Sequence, residues 1–387
     1  MTTDLVAIFS GGGTGGHLYP ALSLSEALEE RRPDVRSFFL GAERGIEAEV
    51  LPARGIPHAL VQVEGLDRSS PFENLRILGS LLKALGIVAG HFRRLKPRLV
   101  VVTGGYAGGP AGIIAALTRT RLVLQEQNSV PGITTRALSP FACEVHVAFP
   151  EVAESLPKGV RTRVRFTGNP VRPPVRAPRT HAAEAFGVDP GHPVVLVVGG
   201  SQGAEALNEA MLDLVTVVIG SGANAGPGPV QFLWGTGPRH IRRVRQQLAD
   251  LGSPGWIHTE GYIDDMPLAL SIADLAVSRA GAMATSEFLA WGIPSILVPL
   301  PTAAADHQTT NAEALSRAGA ALHLPQQEIS GEVLWGKVQG LLARPDELRR
   351  MSDRARSRGR PDAAREIAKA LDRLLPAPLP LRRRSVA

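Results

Sequence analysis

Ser10-Gly11-Gly12-Gly13-Thr14-Gly15-Gly16-His17 decides the fold through what stands on either side of it. Leu5-Val6-Ala7-Ile8-Phe9 precedes it as a short apolar run with the character of a buried strand. After it, Leu18, Ala21, Leu22, Leu24, Ala27 and Leu28 recur at helical spacing. A strand, a glycine-rich turn and a helix in this order open a βαβ unit, and the free N–H groups of such a helix start suit a phosphate. Gly11, Gly13 and Gly16 formally satisfy G-x-G-x-x-G, so a dinucleotide-dependent dehydrogenase is the first competitor. In such a protein an acid for the ribose closes the second strand. Here Leu40-Gly41-Ala42 occupies that point and Glu43 lies beyond it, which weakens that reading.

Outward from this turn, Phe38–Leu40, Leu99–Thr103, Leu122–Gln125 and Val145–Ala148 continue the strand rhythm, with helical periods between. A second series begins at Val194–Val198 and runs through Gln231–Trp234, Leu275–Ser278 and Ser295–Pro299. The restart predicts an α/β protein of two Rossmann-like, doubly wound domains facing a cleft. Its 387 residues and 44% apolar content suffice for a core in each. Between the series, Gly168-Asn169-Pro170-Val171-Arg172-Pro173-Pro174 and then Pro178 interrupt any helix or central strand. The expected division is residues 1–169, a linker at 170–180, a second domain at 181–375, and a proline-rich, basic, disordered tail at 376–387. Gly220 to Pro229 reads as a long flexible loop.

The net charge of +6 is compatible with nucleic acid, an anionic membrane surface or phosphorylated small molecules. Aromatic residues make up only 5%, and no basic stretch is interleaved with them, so a nucleic-acid partner is not expected. The single Cys143 has no partner for a disulfide or a thiolate metal site and is expected as a packed core thiol. The start of the chain lacks the basic flank and cleavage site of a signal peptide, which points to the cytoplasm. No stretch reaches the length of a spanning helix, since Ile77 to Phe92 is interrupted by Lys83 and His91.

Similar turns recur at Thr103-Gly104-Gly105-Tyr106-Ala107-Gly108-Gly109-Pro110 and at Gly199-Gly200-Ser201-Gln202-Gly203-Ala204. Any one of them is explained as a tight strand-to-helix connection. Three together suit a reaction whose donor and acceptor both carry diphosphate. Past the strand Leu275–Ser278, Arg279-Ala280-Gly281-Ala282-Met283-Ala284-Thr285-Ser286-Glu287 opens another helix with a carboxylate in its second turn. Amides near Ala282 are placed for phosphate and Glu287 for ribose hydroxyls, against the alternative of a solvated helix face. Ala305-Asp306-His307-Gln308 adds polar groups able to read sugar hydroxyls.

These stretches, with Glu126-Gln127-Asn128, Gly168–Arg172 and Tyr262-Ile263-Asp264-Asp265-Met266, stand in an order that resembles the MurG family, within glycosyltransferase family 28. The resemblance runs from Val6 to about Leu375. It implies a GT-B fold and inverting transfer of N-acetylglucosamine from UDP-N-acetylglucosamine to the 4-hydroxyl of a lipid-linked diphosphate muramyl-pentapeptide. That reaction belongs to peptidoglycan synthesis, at the cytoplasmic face of the bacterial inner membrane. By the same resemblance Ile263 presents backbone to uracil, Glu287 binds ribose, and Ser201 with the amides of Ala282, Met283, Ala284, Thr285 and Ser286 holds diphosphate. Arg172 and Gln308 position the donor, Asn128 contacts its sugar, and Thr14, Gly15 and Gly16 lie against it once the cleft closes. Gly12, Gly13, Gly104, Gly105 and Tyr106 receive the acceptor diphosphate. Two positions depart from the family pattern: Gln125 stands where His is common, and Thr135 where Asn is common. Gln125 cannot titrate, so a proton-transfer role there is in doubt.

Inversion requires a base on the acceptor hydroxyl and stabilisation of departing UDP, with no covalent nucleophile. His17 sits where a helix begins, a position that favours neutral imidazole, and is the expected base, with Glu126 as the alternative. No Asp-x-Asp occurs and the ten histidines lack metal-ligand spacing, so neither metal nor cofactor is expected. Arg279 and helix N-termini are expected to meet the charge on UDP. Leu78, Leu81, Leu82, Leu85, Val88, Phe92 and Leu95 recur at helical spacing among Arg76, Lys83, Arg93, Arg94, Lys96 and Arg98. This pattern suits an interfacial helix on anionic lipid, although a core helix explains the leucines too. Other cell-wall synthesis proteins are candidate partners. The competing functions are a GT-B transferase with a different lipid acceptor and a non-catalytic membrane scaffold.

Overall fold

The computed structural model describes residues 5–63, 74–220 and 230–377. It divides the chain into two units, Met1–Val171 with Asp362–Ala387, and Arg172–Pro361. In the first unit, β1 (Leu5–Ser10), β2 (Val35–Ala42), β3 (His58–Val61), β4 (Leu99–Val102), β5 (Arg121–Glu126), β6 (Glu144–Val147) and β7 (Val164–Phe166) form a parallel sheet. Their order is β3-β2-β1-β4-β5-β6-β7. Helices α1 (Gly15–Arg31), α2 (Glu47–Ala53), α3 (Asn74–Leu95) and α4 (Gly108–Thr118) belong to this unit. Leu99-Val100-Val101-Val102 is buried throughout, the run expected of a strand covered on both faces. Phe9 and Phe39 stack across β1 and β2 with ring centroids 5.6 Å apart.

In the second unit, β8 (Val194–Val198), β9 (Gln231–Gly235), β10 (Ile257–Glu260), β11 (Leu275–Ser278), β12 (Ser295–Leu297) and β13 (Ala321–His323) repeat the pattern. The order is β10-β9-β8-β11-β12-β13, again parallel. Trp234 is fully buried, and its indole N–H donates to Asn208 Oδ1 at 3.0 Å on α9 (Glu205–Gly220). Asn208 in turn donates to Thr236 O at 2.9 Å, tying the helix to the end of β9.

The chain's contacts set the boundary differently from composition at the C-terminal end. The helix Ala363–Arg373, expected with the second domain, packs against α1 of the first unit, placing Ile367, Leu371 and Leu375 in the core with Leu24 and Leu28. Arg32, almost entirely buried, holds it there with hydrogen bonds to Asp372 (2.7 Å) and Asp34 (2.8 and 2.9 Å). A second correction concerns Cys143, which is exposed. It lies just before β6, where Ala142 turns inward and the next side chain points out. The expected loop at 220–229 and tail at 376–387 fall almost wholly outside the described residues.

Helix α3 divides its apolar row. Ala84, Val88 and Phe92 are buried at successive turns, whereas Leu82 is 62% and Ile87 41% exposed, beside exposed Lys83. The side chain of Leu78 lies outside the described set. No helix among the described residues is long and apolar enough to cross a membrane.

Candidate active site

In an open parallel sheet, neighbouring strands whose connections run in opposite directions leave a crevice at their C-terminal ends. In the first unit that point lies between β1 and β4, so the first and second glycine turns emerge side by side. Gly105, with φ of +72°, backs onto the carbonyl of Gly12, and an added Cβ there would overlap it. The Tyr106 ring lies against Gly13. Thr103 Oγ1 donates to His17 O at 2.7 Å, fastening the start of α1 to the second turn.

His17 Nδ1 stands 3.0 Å from Thr103 O and 2.8 Å from Gln127 Oε1. The orientation of the Gln127 amide is fixed because its nitrogen donates to Thr103 O at 2.7 Å and Gln125 O at 3.1 Å, and also to Gln125 Oε1. Nδ1 therefore faces two acceptors and must carry a proton. In the neutral ring the lone pair then lies on Nε2. Gln125, the residue that departs from the family pattern, is wholly buried and bridges Gln127 to Asn169 Oδ1 at 2.8 Å. A non-titrating amide suits that bridge. The motif residue Gln127, given no individual role by sequence reasoning, thus orients His17.

Glu126 is 3% exposed and committed to its own loop. Oε1 accepts from Asn128 N at 3.2 Å, and Oε2 from Gly132 N at 3.1 Å and Thr135 Oγ1 at 2.6 Å. Thr135, the second departure, keeps the hydrogen bond that a buried carboxylate requires. This arrangement shapes the turn presenting Asn128. Sequence reasoning also missed Glu47, a wholly buried carboxylate at the first glycine turn. The two glycines that precede it, Gly41 and Gly45, are where an added Cβ would meet its side chain, but Glu43 and Glu49 nearby hide it among other acids in the sequence.

The second unit has its own switch point between β8 and β11. A cavity of about 790 Å³ opens there, walled by Gly200, Ser278, Arg279, Gln308, Glu205 and Glu209 among others. Arg243 faces both of these carboxylates, at 3.4 and 3.9 Å. Arg279 is 8% exposed and donates to Val298 O at 3.2 Å and Pro299 O at 3.1 Å; burial lowers its pKa. Ser201 is exposed on the turn after β8. Helix α12 (Ala282–Trp291) begins after Gly281, which offers no side-chain cap. Ala282, Met283 and Ala284 are half-buried there, whereas Thr285 is buried and its hydroxyl donates back to Gly281 O at 3.0 Å. Ser286 is also buried.

Glu287 is not on a solvated face. It is half-buried, no hydrogen-bond donor reaches it among the described residues, and burial pushes its pKa from 4.5 up to about 7. The exposed Arg172 pulls in the opposite direction without cancelling that rise. Ile263 is buried against Gly235, holding the backbone of its turn in place. Gln308 Oε1 accepts from Leu300 N at 3.0 Å. The residues before it, Ala305 and Asp306, both adopt left-handed backbone (φ +52° and +54°), local strain of the kind found at ligand-binding turns. No cluster of metal-ligating side chains occurs among the described residues.

With two switch-point crevices in place, the chain matches the glycosyltransferase family 28 N-terminal domain over residues 7–147 and the family's C-terminal domain over 194–367. The chain belongs to glycosyltransferase family 28. A Moorella thermoacetica relative of this family 28 chain is 40% identical over 369 residues, covering 94% of the chain and 97% of the relative. It is named UDP-N-acetylglucosamine--N-acetylmuramyl-(pentapeptide) pyrophosphoryl-undecaprenol N-acetylglucosamine transferase. A Desulfitobacterium hafniense protein of the same name is 39% identical over 367 residues, with the same coverage. The crystal structure of Acinetobacter baumannii MurG superimposes with a TM-score of 0.74 at 28% identity, covering 95% of this chain and 99% of that one. The two-domain α/β architecture of the family 28 chain is therefore GT-B.

Proposed function

We propose that this glycosyltransferase transfers N-acetylglucosamine from UDP-N-acetylglucosamine to the 4-hydroxyl of a muramyl-pentapeptide carried on undecaprenyl diphosphate, with inversion. The observation that carries the reading is a nucleotide-sized cavity at the second unit's switch point, lined by Gly200, Arg279, Gly281, Ala284 and Gln308, with the half-buried Glu287 on the helix that Ala284 belongs to. Relatives that match almost the whole chain bear the name of this reaction. Glu287 accepts from the ribose hydroxyls, Ile263 offers backbone to uracil, and Ser201 with the amides of α12 holds the diphosphate. Arg172 and Gln308 position the donor, and Asn128, Thr14, Gly15 and Gly16 are assigned to it by the family resemblance.

The acceptor diphosphate is assigned to the first and second glycine turns with Tyr106. His17 Nε2 takes the proton of the acceptor hydroxyl as its oxygen attacks the anomeric carbon. The bond from that carbon to the diphosphate oxygen breaks, and UDP leaves with the electron pair. Arg279 and the helix dipole of α12 meet the resulting charge. The exposed Leu82 and Ile87, with Lys83, Arg93 and Arg94, are the proposed contact with an anionic membrane surface, which would place the enzyme peripherally on the cytoplasmic face. The decisive experiment supplies UDP-N-acetylglucosamine and the lipid-linked acceptor and looks for disaccharide. Absence of product, or transfer only to a diacylglycerol acceptor, would sink the proposal.

A further inference from the structure

The first glycine turn already contains an anion. Glu47, wholly buried, lies inside it: Gly13 N–H donates between the two carboxylate oxygens at 3.0 and 2.9 Å, and Ala42 N–H donates to Oε1 at 2.8 Å. Three glycines exist to make room for this carboxylate. A Cβ on Gly12 or Gly45 would overlap its oxygens, and one on Gly41 would overlap its Cγ. The turn resembles a phosphate cradle because it is a cradle, but its occupant is the chain's own side chain.

We propose that Glu47 is a positioning residue, an internal anion that braces the Gly11–Gly16 turn and so sets the place of His17. This rests on the reading above, in which His17 serves the transfer. The physical argument is one of competing anions. Displacing Glu47 would strand the Ala42 amide and a buried carboxylate together, each a costly loss. The acceptor diphosphate therefore does not take the Gly13 N–H, and meets the outer face of the turn and the second turn instead. The brace reaches His17 along four residues of backbone, and Thr103 Oγ1 pins the far end at His17 O. Without the carboxylate, Gly12 and Gly13 lose both their spacer and their partner.

Two variants test this. Glu47→Gln keeps the shape but replaces one acceptor oxygen with a donor, while Glu47→Ala empties the cradle. Loss of a charge-assisted hydrogen bond at this position should lower kcat about tenfold in Glu47→Gln and further in Glu47→Ala. The donor KM should stay within about twofold, because uniform binding is untouched. Formate should restore part of the kcat of Glu47→Ala, and potassium chloride at equal ionic strength should not. In the same samples the Gly13 amide and His17 ring resonances should move, a readout independent of turnover. Unmoved resonances, wild-type kcat in Glu47→Gln, or no recovery with formate would each overturn the brace. A fall in acceptor KM in Glu47→Ala would also overturn it, by showing that Glu47 competes with the diphosphate. Failure of the unsubstituted protein to make disaccharide would instead defeat the functional reading, leaving the resonances to decide the brace.

Discussion

Replacing Glu287 with Gln should stabilise the second unit at alkaline pH and have almost no effect in acid. Burial holds the Glu287 carboxyl at about 7 in the folded protein, against an ordinary 4.5. At 1.36 kcal/mol per pH unit that gap amounts to about 3 kcal/mol. The direction follows from proton binding. Below pH 4.5 the group is protonated both folded and unfolded, and nothing is lost. Between 4.5 and about 7 the unfolded chain ionises while the folded one resists, so stability declines through that window. Above it the full loss of about 3 kcal/mol is present. Glu287→Gln removes the titration and should gain most of that amount at pH 8.

The chain offers a convenient reporter. All four tryptophans, Trp234, Trp256, Trp291 and Trp335, lie in the second unit, so urea unfolding followed by indole fluorescence reads that unit selectively. Unfolding curves for both proteins at pH values from 5 to 8.5 should diverge as pH rises. Parallel curves across the range would refute the reasoning. The donor supplies the functional counterpart. Ribose hydroxyls donate best to the ionised carboxylate, so UDP-N-acetylglucosamine binding near pH 7 should release protons, detectable by calorimetry in buffers of different ionisation enthalpy. The variant should lose both that release and donor affinity, gaining stability as function declines.

His17→Ala should lower kcat by about 10² to 10⁴ with little change in donor KM, the pattern of a lost proton acceptor, measured with saturating acceptor. Arg32→Met breaks a buried ion-pair group and should cost about 3 kcal/mol, with the last helix becoming susceptible to proteolysis before the rest of its unit. Hydrogen bonding by Arg32 lowers the Asp34 pKa; bonds from Arg32 and Arg31 lower that of Asp372 against the opposing effect of burial. Their contribution is present above the ordinary 3.8 and lost as pH falls through the lower folded values, so the same helix in the unsubstituted protein should hold in mild acid and loosen only below pH 3.8. Leu82→Glu combined with Ile87→Glu should weaken sedimentation with anionic liposomes while leaving thermal stability unchanged. Equal liposome binding would remove α3 from the membrane contact.

The sequence rhythm exposed the interior of both sheets and missed their edges. Strands β1, β2, β4, β5, β6, β8, β9, β11 and β12 correspond to apolar runs legible in the chain. The four others, β3, β7, β10 and β13, are the outer strands of the two sheets. Their segments, such as Val164-Arg165-Phe166 and Ile257-His258-Thr259-Glu260, are short and partly exposed, so burial did not demand a continuous apolar run. The C-terminal helix follows the second domain in the chain yet packs in the first unit. Its partners, Leu24, Leu28 and Arg32, are hundreds of residues away, a relation no local pattern records. Cys143 departs from expectation for a different reason: a thiol's usual burial is a statistical preference, and the register of one loop residue decides the individual case.

The three glutamates singled out by the structure show why candidate sites are only partly legible from residue type. Glu47 receives N–H donors from Gly13 and Ala42, and Glu126 receives donors from Asn128, Gly132 and Thr135. Both are buried acids that accept backbone N–H donors from their own turns, and both hold a turn in shape. Glu287 is also withdrawn from solvent, yet no donor reaches it among the described residues, and burial raises its pKa. A ligand that brings its own hydroxyl donors offsets that rise; at Glu47 or Glu126 it would first have to displace a donor. Motif spacing identified Glu126 and Glu287 equally well and overlooked Glu47. The donors found around each carboxylate separate Glu287 of the second unit from Glu47 and Glu126, the two acids that hold turns of the first unit.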